Sequence, residues 1–517
     1  MMIVIRRPLV SNVKWGVPTG GPAITVEWQT QPTPSFIEGT TTPYPLGQHI
    51  ANYNAATDTV TLTGLSGGLP VWLQLLGNQL APDGTQSAGN PWTNLQFRVT
   101  RIGAVAPADT GFISGTVDAE EEEEELPAWV PAPGVVAAIS LNTMSAVNPG
   151  AGVWNPNGNQ QRILEAWGSG GFSPHFGPLG AYFVCNGGDQ DYWGNEVYVF
   201  PLADTTTTVG FFPALTWKRI NSPSAAMNGT SSTIDPAFNI TWGEHGDGTP
   251  AMPHTYDQLE YLPPSAGGGV MGSALLGTKN VAYKTSHFQT AHRCDLDTGV
   301  WSRASTNAST MAGDIDSPSW VYYAATNRVY GFPSKVSRPF DSNFYWLDIS
   351  SGLPGTFASS GVPSRLMPAY ACGRVWTEQN RIVLLGNNYT TVPTIMYFTI
   401  YNPASPSTEV IPTLVGDAMP AAQAGSFDWV PELGAFFVRS CQAADVQKLW
   451  KVTPNPSNPL AGTWTVELIT MTGVAVTGFT ISGMWKRFSY AGAAGIPCFL
   501  WVNSVTGAVY AYRPLGT

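Results

Sequence analysis

The segment Gly188-Asp189-Gln190-Asp191-Tyr192-Trp193-Gly194-Asn195 places two carboxylates beside two aromatic rings. Rings stack on the apolar face of a sugar and carboxylates bond its hydroxyls, so Asp189, Asp191, Tyr192 and Trp193 are candidate ligand contacts. The competing reading is a tight turn, with the rings packed on a neighbour and the acids bonding turn amides. The second reading is preferred. Two further stretches add candidate contacts. His245 lies in Gly243-Glu244-His245-Gly246-Asp247-Gly248, and His254 and Tyr256 lie in Pro253-His254-Thr255-Tyr256.

Glycoside hydrolysis needs two carboxylates facing one bond, and Glu165, Asp189, Asp191 and Glu260 are the acids to weigh. Acids on the loops of a large all-β protein are common, so no catalytic residue is assigned. No Gly-x-Ser-x-Gly, phosphate loop or His-Glu-x-x-His is present. The five cysteines (Cys185, Cys294, Cys372, Cys441, Cys498) are widely spaced and form no CxxC pair. They read as small buried thiols, with neither a disulfide framework nor a zinc site. No metal and no cofactor is expected.

Charged residues are only 11% of the 517, against a usual quarter, while Gly (55), Pro (43) and Trp (19) are abundant. This mix suits many short strands joined by turns and argues against long surface helices. The net charge of −11 leaves no basic footprint for nucleic acid or anionic membranes. No apolar run approaches the ~20 residues that span a bilayer. The opening Met-Met-Ile-Val-Ile-Arg-Arg-Pro lacks the layout of a secretory signal, which predicts synthesis and folding in a cytoplasm.

The run Glu120–Glu125, followed by a Pro-rich stretch to Gly134, divides the chain. Adjacent like charges repel and do not pack. The expected order is an arm over 1–21, a β-sandwich over 22–119, a linker over 120–134 and a large unit over 135–517. In the arm, Ile3, Ile5, Arg6, Arg7 and Trp15 are candidate attachment residues, able to add a strand to another subunit. The alternative is a first edge strand of the arm's own sandwich. In the large unit, strand groups recur about every 50 to 65 residues, the period of propeller blades. Arg162–Trp167 is predicted to open the first blade and Ser482–Lys486 the last. That last group is one strand short, and the apolar stretch near 135–140 is predicted to complete it. Such closure removes exposed sheet edges. Six blades are expected, or seven if the insertion 221–253 hides one.

Two resemblances follow from these residues. Phe36-Ile37-Glu38-Gly39, Tyr44-Pro45-Leu46, Asp58-Thr59-Val60-Thr61-Leu62 and Gly68-Leu69-Pro70 resemble immunoglobulin-like modules related to cadherins. Asn186-Gly187-Gly188 and Asp297-Thr298-Gly299-Val300-Trp301 resemble habits of kelch and galactose-oxidase-like propellers. Neither the copper set of the latter nor the arginine cluster of sialidases is readable. The Gly188–Tyr198 and Pro253–Tyr256 stretches, joined to an immunoglobulin-like module, are similar to kelch-like propellers of tailed phages.

The expectation is therefore an all-β chain, an immunoglobulin-like β-sandwich followed by a kelch-like β-propeller. The resemblance implies a non-enzymatic virion protein of a tail, fibre or other appendage, multimeric through assembly. Its implied partners are other virion proteins and a host-surface glycan. The alternative is a propeller glycoside hydrolase or lyase.

Overall fold

The computed structural model describes residues 126–517 apart from 151–160, 166–167, 186–191, 193, 226–242, 253–254, 276–288, 308–318, 333–342, 364–368, 388–394, 406–408, 421–424 and 479–482; before residue 126 it describes the backbone of seven strands. The chain forms two compact units, Met1–Pro127 and Ala128–Thr517.

In the first unit the seven strands join in one sheet. Met2–Arg6 runs antiparallel between Thr59–Thr63 and Arg98–Ile102, with Ile3 opposite Leu62 and Arg101. Ile3, Ile5 and Arg6 therefore pair within their own sheet, while Arg7 and Trp15 lie outside the described residues. The stretches that carry the expected immunoglobulin-like module, and the acidic run, also reach outside them.

The second unit is a six-bladed β-propeller. Its innermost strands, in chain order, are Ser169–Ser173, Glu260–Tyr261, Ser319–Tyr323, Ala369–Trp376, Gly425–Val430 and Ser489–Tyr490. Each innermost strand lies against the next, and the sixth lies against the first, so the ring is closed. In the sixth blade, Val135–Ala138 pairs antiparallel with Val509–Tyr512 and supplies the outer strand.

Two opening strands differ from expectation. Arg162–Glu165 is a short helix, and the first blade opens on Ser169–Ser173 instead. That strand is Ser-Gly-Gly-Phe-Ser, with too few apolar side chains to show alternation. Its glycines are required by close approach: a Cβ on Gly170 would lie 2.6 Å from the Phe183 carbonyl oxygen, and one on Gly171 would lie 2.6 Å from the Phe183 ring. In the sixth blade the strand is Ser489–Tyr490. Met484, Trp485, Lys486 and Arg487 are buried in the turn before it.

The blades share two turns that the strand pattern does not reveal. Between the first and second strands, a three-residue 3-10 turn closes on a left-handed residue. That residue is Gly267 (φ 99°), Asn327 (49°), Asn380 (51°), Gly434 (55°) or Gly495 (79°) in blades two to six. Glycine and asparagine are the residues that tolerate this conformation. After the third strand, an Asp or Asn oxygen accepts from the backbone N–H two residues on. These residues are Asp295 (2.9 Å), Asp348 (3.1 Å), Asn402 (3.0 Å) and Asn455 (2.9 Å). Their spacing is close to 53 residues, the true period of the propeller.

Neighbouring blades are also latched at their outer edges. The Asn307 carboxamide, just past the second blade, accepts from Phe357 N (2.8 Å) and donates to Phe357 O (3.2 Å) in the third. Asn142, just past the closing strand, does the same with Trp217 of the first blade (2.7 and 3.1 Å). A side-chain amide thus stands in for a strand residue. Aromatic packing fills the seams, as where Phe437 meets Phe499 at 5.3 Å and Trp376 meets Trp464 edge-on at 5.6 Å.

Candidate functional site

The innermost strands converge, and what they bring to the axis is charge. Lys486, on the turn entering the sixth blade, reaches across the ring to the second and third. Its Nζ lies within hydrogen-bond reach of Glu260 Oε2 (2.6 Å) and the carbonyls of Leu259 (3.2 Å), Asp257 (3.3 Å) and Trp320, which share its three N–H groups. Asp257 Oδ2 lies 3.5 Å away. The same Oδ2 accepts from Ser319 Oγ of the third blade and from Gly373 N (2.8 Å) of the fourth. One carboxylate thus ties four blades together. Beside it, Arg374 Nε faces Asp428 Oδ1 (3.4 Å), and Asp428 Oδ2 accepts from Tyr490 N (3.0 Å).

Lys486 is 3% exposed and Asp257 0%, so the centre of the hub is buried, while Glu260, Arg374 and Asp428 keep some exposure at its rim. Burial pushes the Asp257 and Glu260 carboxyls up, against the pull of Lys486 and Arg374. For Arg374, burial works against the charge, but Asp428 and the other nearby groups outweigh it and hold the guanidinium more firmly protonated. Groups bound to each other and to backbone in this way fasten strands.

Two further clusters flank the first blade, one facing the sixth blade and one tied to the second. Glu196 Oε1 accepts from Tyr192 OH (2.6 Å) and Tyr198 OH (2.7 Å). A tyrosine beside an acid can serve as a nucleophile. Here all three residues are fully buried inside a blade. Burial pushes the Glu196 carboxyl up, only partly offset by the tyrosines. In the second cluster, Glu244 receives Arg303 through two guanidinium nitrogens and lies 2.8 Å from His292 Nε2. Burial alone would raise the Glu244 pKa, but the Arg303 and His292 bonds overcome it and bring it down to about 2. This pair pins the insertion onto the second blade. Asn195 pins it as well, accepting from Ser224 N (3.0 Å) and donating to Pro250 O (3.0 Å).

These placements decide some of the candidate contacts. Tyr192 is wholly buried and spends its hydroxyl on Glu196, so it has no face for a ligand. His245 is buried in a tight turn, where its N–H bonds Thr249 O (2.8 Å). Tyr256 is half-buried, in a left-handed conformation (φ 43°), with its ring edge-on to Trp485 at 5.1 Å. Asp189, Asp191, Trp193 and His254 lie outside the described residues. Glu260 belongs to the hub, and the Glu165 side chain is outside the described ones. All five cysteines are buried, and burial raises the thiols of Cys294, Cys372 and Cys498. Among the described residues no His, Cys, Asp and Glu group is arranged to hold a metal ion.

The sequence does not announce the hub. Asp257, Ser319, Arg374, Asp428 and Lys486 are spread over more than half of the propeller, and only ring closure unites them. A charged residue inside an otherwise apolar inner strand is the signal that could have found Arg374 and Asp428.

No family model matches the chain, and no curated protein sequence matches it. Solved structures similar to it include hydrazine synthase of Kuenenia stuttgartiensis, 10% identical with a TM-score of 0.38, covering 68% of this chain and 84% of that one. A mutant of AofleA from Arthrobotrys oligospora is 10% identical with a TM-score of 0.34, covering 71% and 88%. An endo-arabinase from Bacteroides thetaiotaomicron is 13% identical with a TM-score of 0.28, covering 49% and 92%.

Proposed function

We propose that this chain is a non-enzymatic structural protein of a tailed-phage particle. It forms part of a tail, fibre or other exposed appendage, attached through its N-terminal region. The propeller presents its loops to a host-surface glycan or to neighbouring subunits. The observation that carries the non-enzymatic half is the filled axis: Asp257 and Glu260 are both bound to Lys486 where inner strands converge. The virion half rests on the sequence, where kelch-like stretches follow an immunoglobulin-like module. Low charge and many aromatics suit a protein that works through contacts.

Mass spectrometry and immunogold labelling of purified particles from the source test this reading. Labelling on a tail or fibre is the expected result and makes glycan arrays the next step. Absence of the chain from particles overturns it and turns attention to glycoside hydrolase and lyase assays.

A further inference from the structure

We propose that the propeller hub is a cation site occupied by the chain's own ammonium, and that without the Lys486 side chain the same oxygens bind a free monovalent cation of ammonium or potassium size. This inference does not depend on the virion assignment.

Five oxygens surround Lys486 Nζ: the carbonyls of Asp257, Leu259 and Trp320, Oε2 of Glu260 and Oδ2 of Asp257. An ammonium has three N–H donors. The shell therefore holds more oxygens than a lysine can bond at once, as a coordination sphere does and a single ion pair does not. A second observation points the same way. Asp257 Oδ1 is buried and has no hydrogen-bond partner among the described residues, so the carboxylate keeps lone pairs to spare.

Charge and size narrow the ion. Two carboxylates face one ammonium, while Arg374 is turned to Asp428. Losing the lysine leaves two buried carboxyls with only the weaker pull of Arg374, to be met by a cation or by a proton. The Trp320 carbonyl lies nearest, and the other oxygens run from 2.6 Å at Glu260 to 3.5 Å at Asp257 Oδ2. Magnesium demands about 2.0–2.1 Å and calcium about 2.3–2.6 Å from every ligand, whereas the Leu259 and Asp257 carbonyls and Asp257 Oδ2 stand at 3.2–3.5 Å, the spacing of a larger ion. Carbonyl oxygens in such a shell can replace the water around a potassium ion. The lysine backbone itself is unusual, at φ 29°. A non-glycine residue holds such a conformation only where its surroundings fix it.

The test uses the full chain carrying Lys486→Ala. It is melted in ammonium, potassium or tetramethylammonium chloride at equal ionic strength, beside the unchanged protein. The expected result is a saturable rise in melting temperature with ammonium and potassium. Tetramethylammonium, too large for the shell, gives no rise, and the unchanged protein responds alike to all three. Adding Glu260→Gln is expected to weaken the ammonium response at least about tenfold, or ~1.4 kcal/mol. If Lys486→Ala does not fold in tetramethylammonium, refolding yield replaces melting as the readout, and recovery in ammonium supports the site. Equal response to the three salts, no response, or failure to refold in any of them overturns the proposal.

Discussion

Glu244 meets Arg303 and His292, whereas Glu196 meets two tyrosine hydroxyls, with Arg219 a weaker influence. That difference sets opposite signs. The Glu244 pKa is depressed to about 2. Its stabilisation is complete above the unfolded carboxylate range near ~4.3 and is lost as pH falls toward the folded value. Comparing Glu244→Gln with the unchanged protein by denaturant unfolding from pH 7 to pH 2, the stability gap is predicted to shrink through that window. A gap independent of pH would contradict the assignment. The Glu196 pKa is raised, so the folded chain holds a proton that the unfolded chain releases. Its contribution therefore grows as pH falls through the raised folded value toward the unfolded one. Tyr192→Phe removes one of the two hydroxyls and is predicted to cost about 1–3 kcal/mol in urea unfolding. If Tyr192 instead served a ligand at the surface, the same change would leave stability untouched.

Turns and latches carry the argument at the scale of elements. Asn380 closes its 3-10 turn at φ 51°. Asn380→Gly is predicted to stay within about 0.5 kcal/mol of the unchanged protein, while Asn380→Val loses about 1–2 kcal/mol, because a β-branched residue resists the left-handed region. Thermal melts of the two variants check this order. Asn307→Ala leaves both backbone groups of Phe357 without their side-chain partner and is predicted to cost about 1–3 kcal/mol. Strands such as Arg328–Phe332, Arg381–Asn387 and Ala435–Ser440 were legible because they are continuous apolar runs between turn residues. Ser169–Ser173 was not, since its packing depends on the absence of side chains. The repeat itself stands in the sequence at Asp295, Asp348, Asn402 and Asn455. Aligning on strands hides it, because blades conserve the turn geometry more strictly than the residues that fill the seams.

For the whole molecule, closure is the organising event. The outer strand of the last blade, Val135–Ala138, precedes all the others in the propeller, so the ring cannot close until its two ends meet. A chain beginning at Ala128 keeps that strand and is predicted to melt as one cooperative unit. One beginning at Leu141 exposes the edge of Val509–Tyr512 and is predicted to lose cooperativity or aggregate. Differential scanning calorimetry distinguishes the two. The closing strand was readable as an apolar stretch in search of a sheet. The hub was not, because Glu260 and Lys486 become neighbours only after the ring has formed.

The claim that the axial charges fasten the ring, and are not left free for chemistry, is tested most directly by a double-mutant cycle of Asp257→Asn and Lys486→Met, measured by urea unfolding of the full chain. The account predicts that each single change costs about 3–5 kcal/mol, since Lys486→Met strips Asp257 and Glu260 of their ammonium and Asp257→Asn takes away the carboxylate that Lys486, Ser319 and Gly373 share. It also predicts that the double change costs at least about 2 kcal/mol less than the sum of the two. Additivity within about 0.5 kcal/mol would contradict it, showing that the two side chains do not hold the ring together.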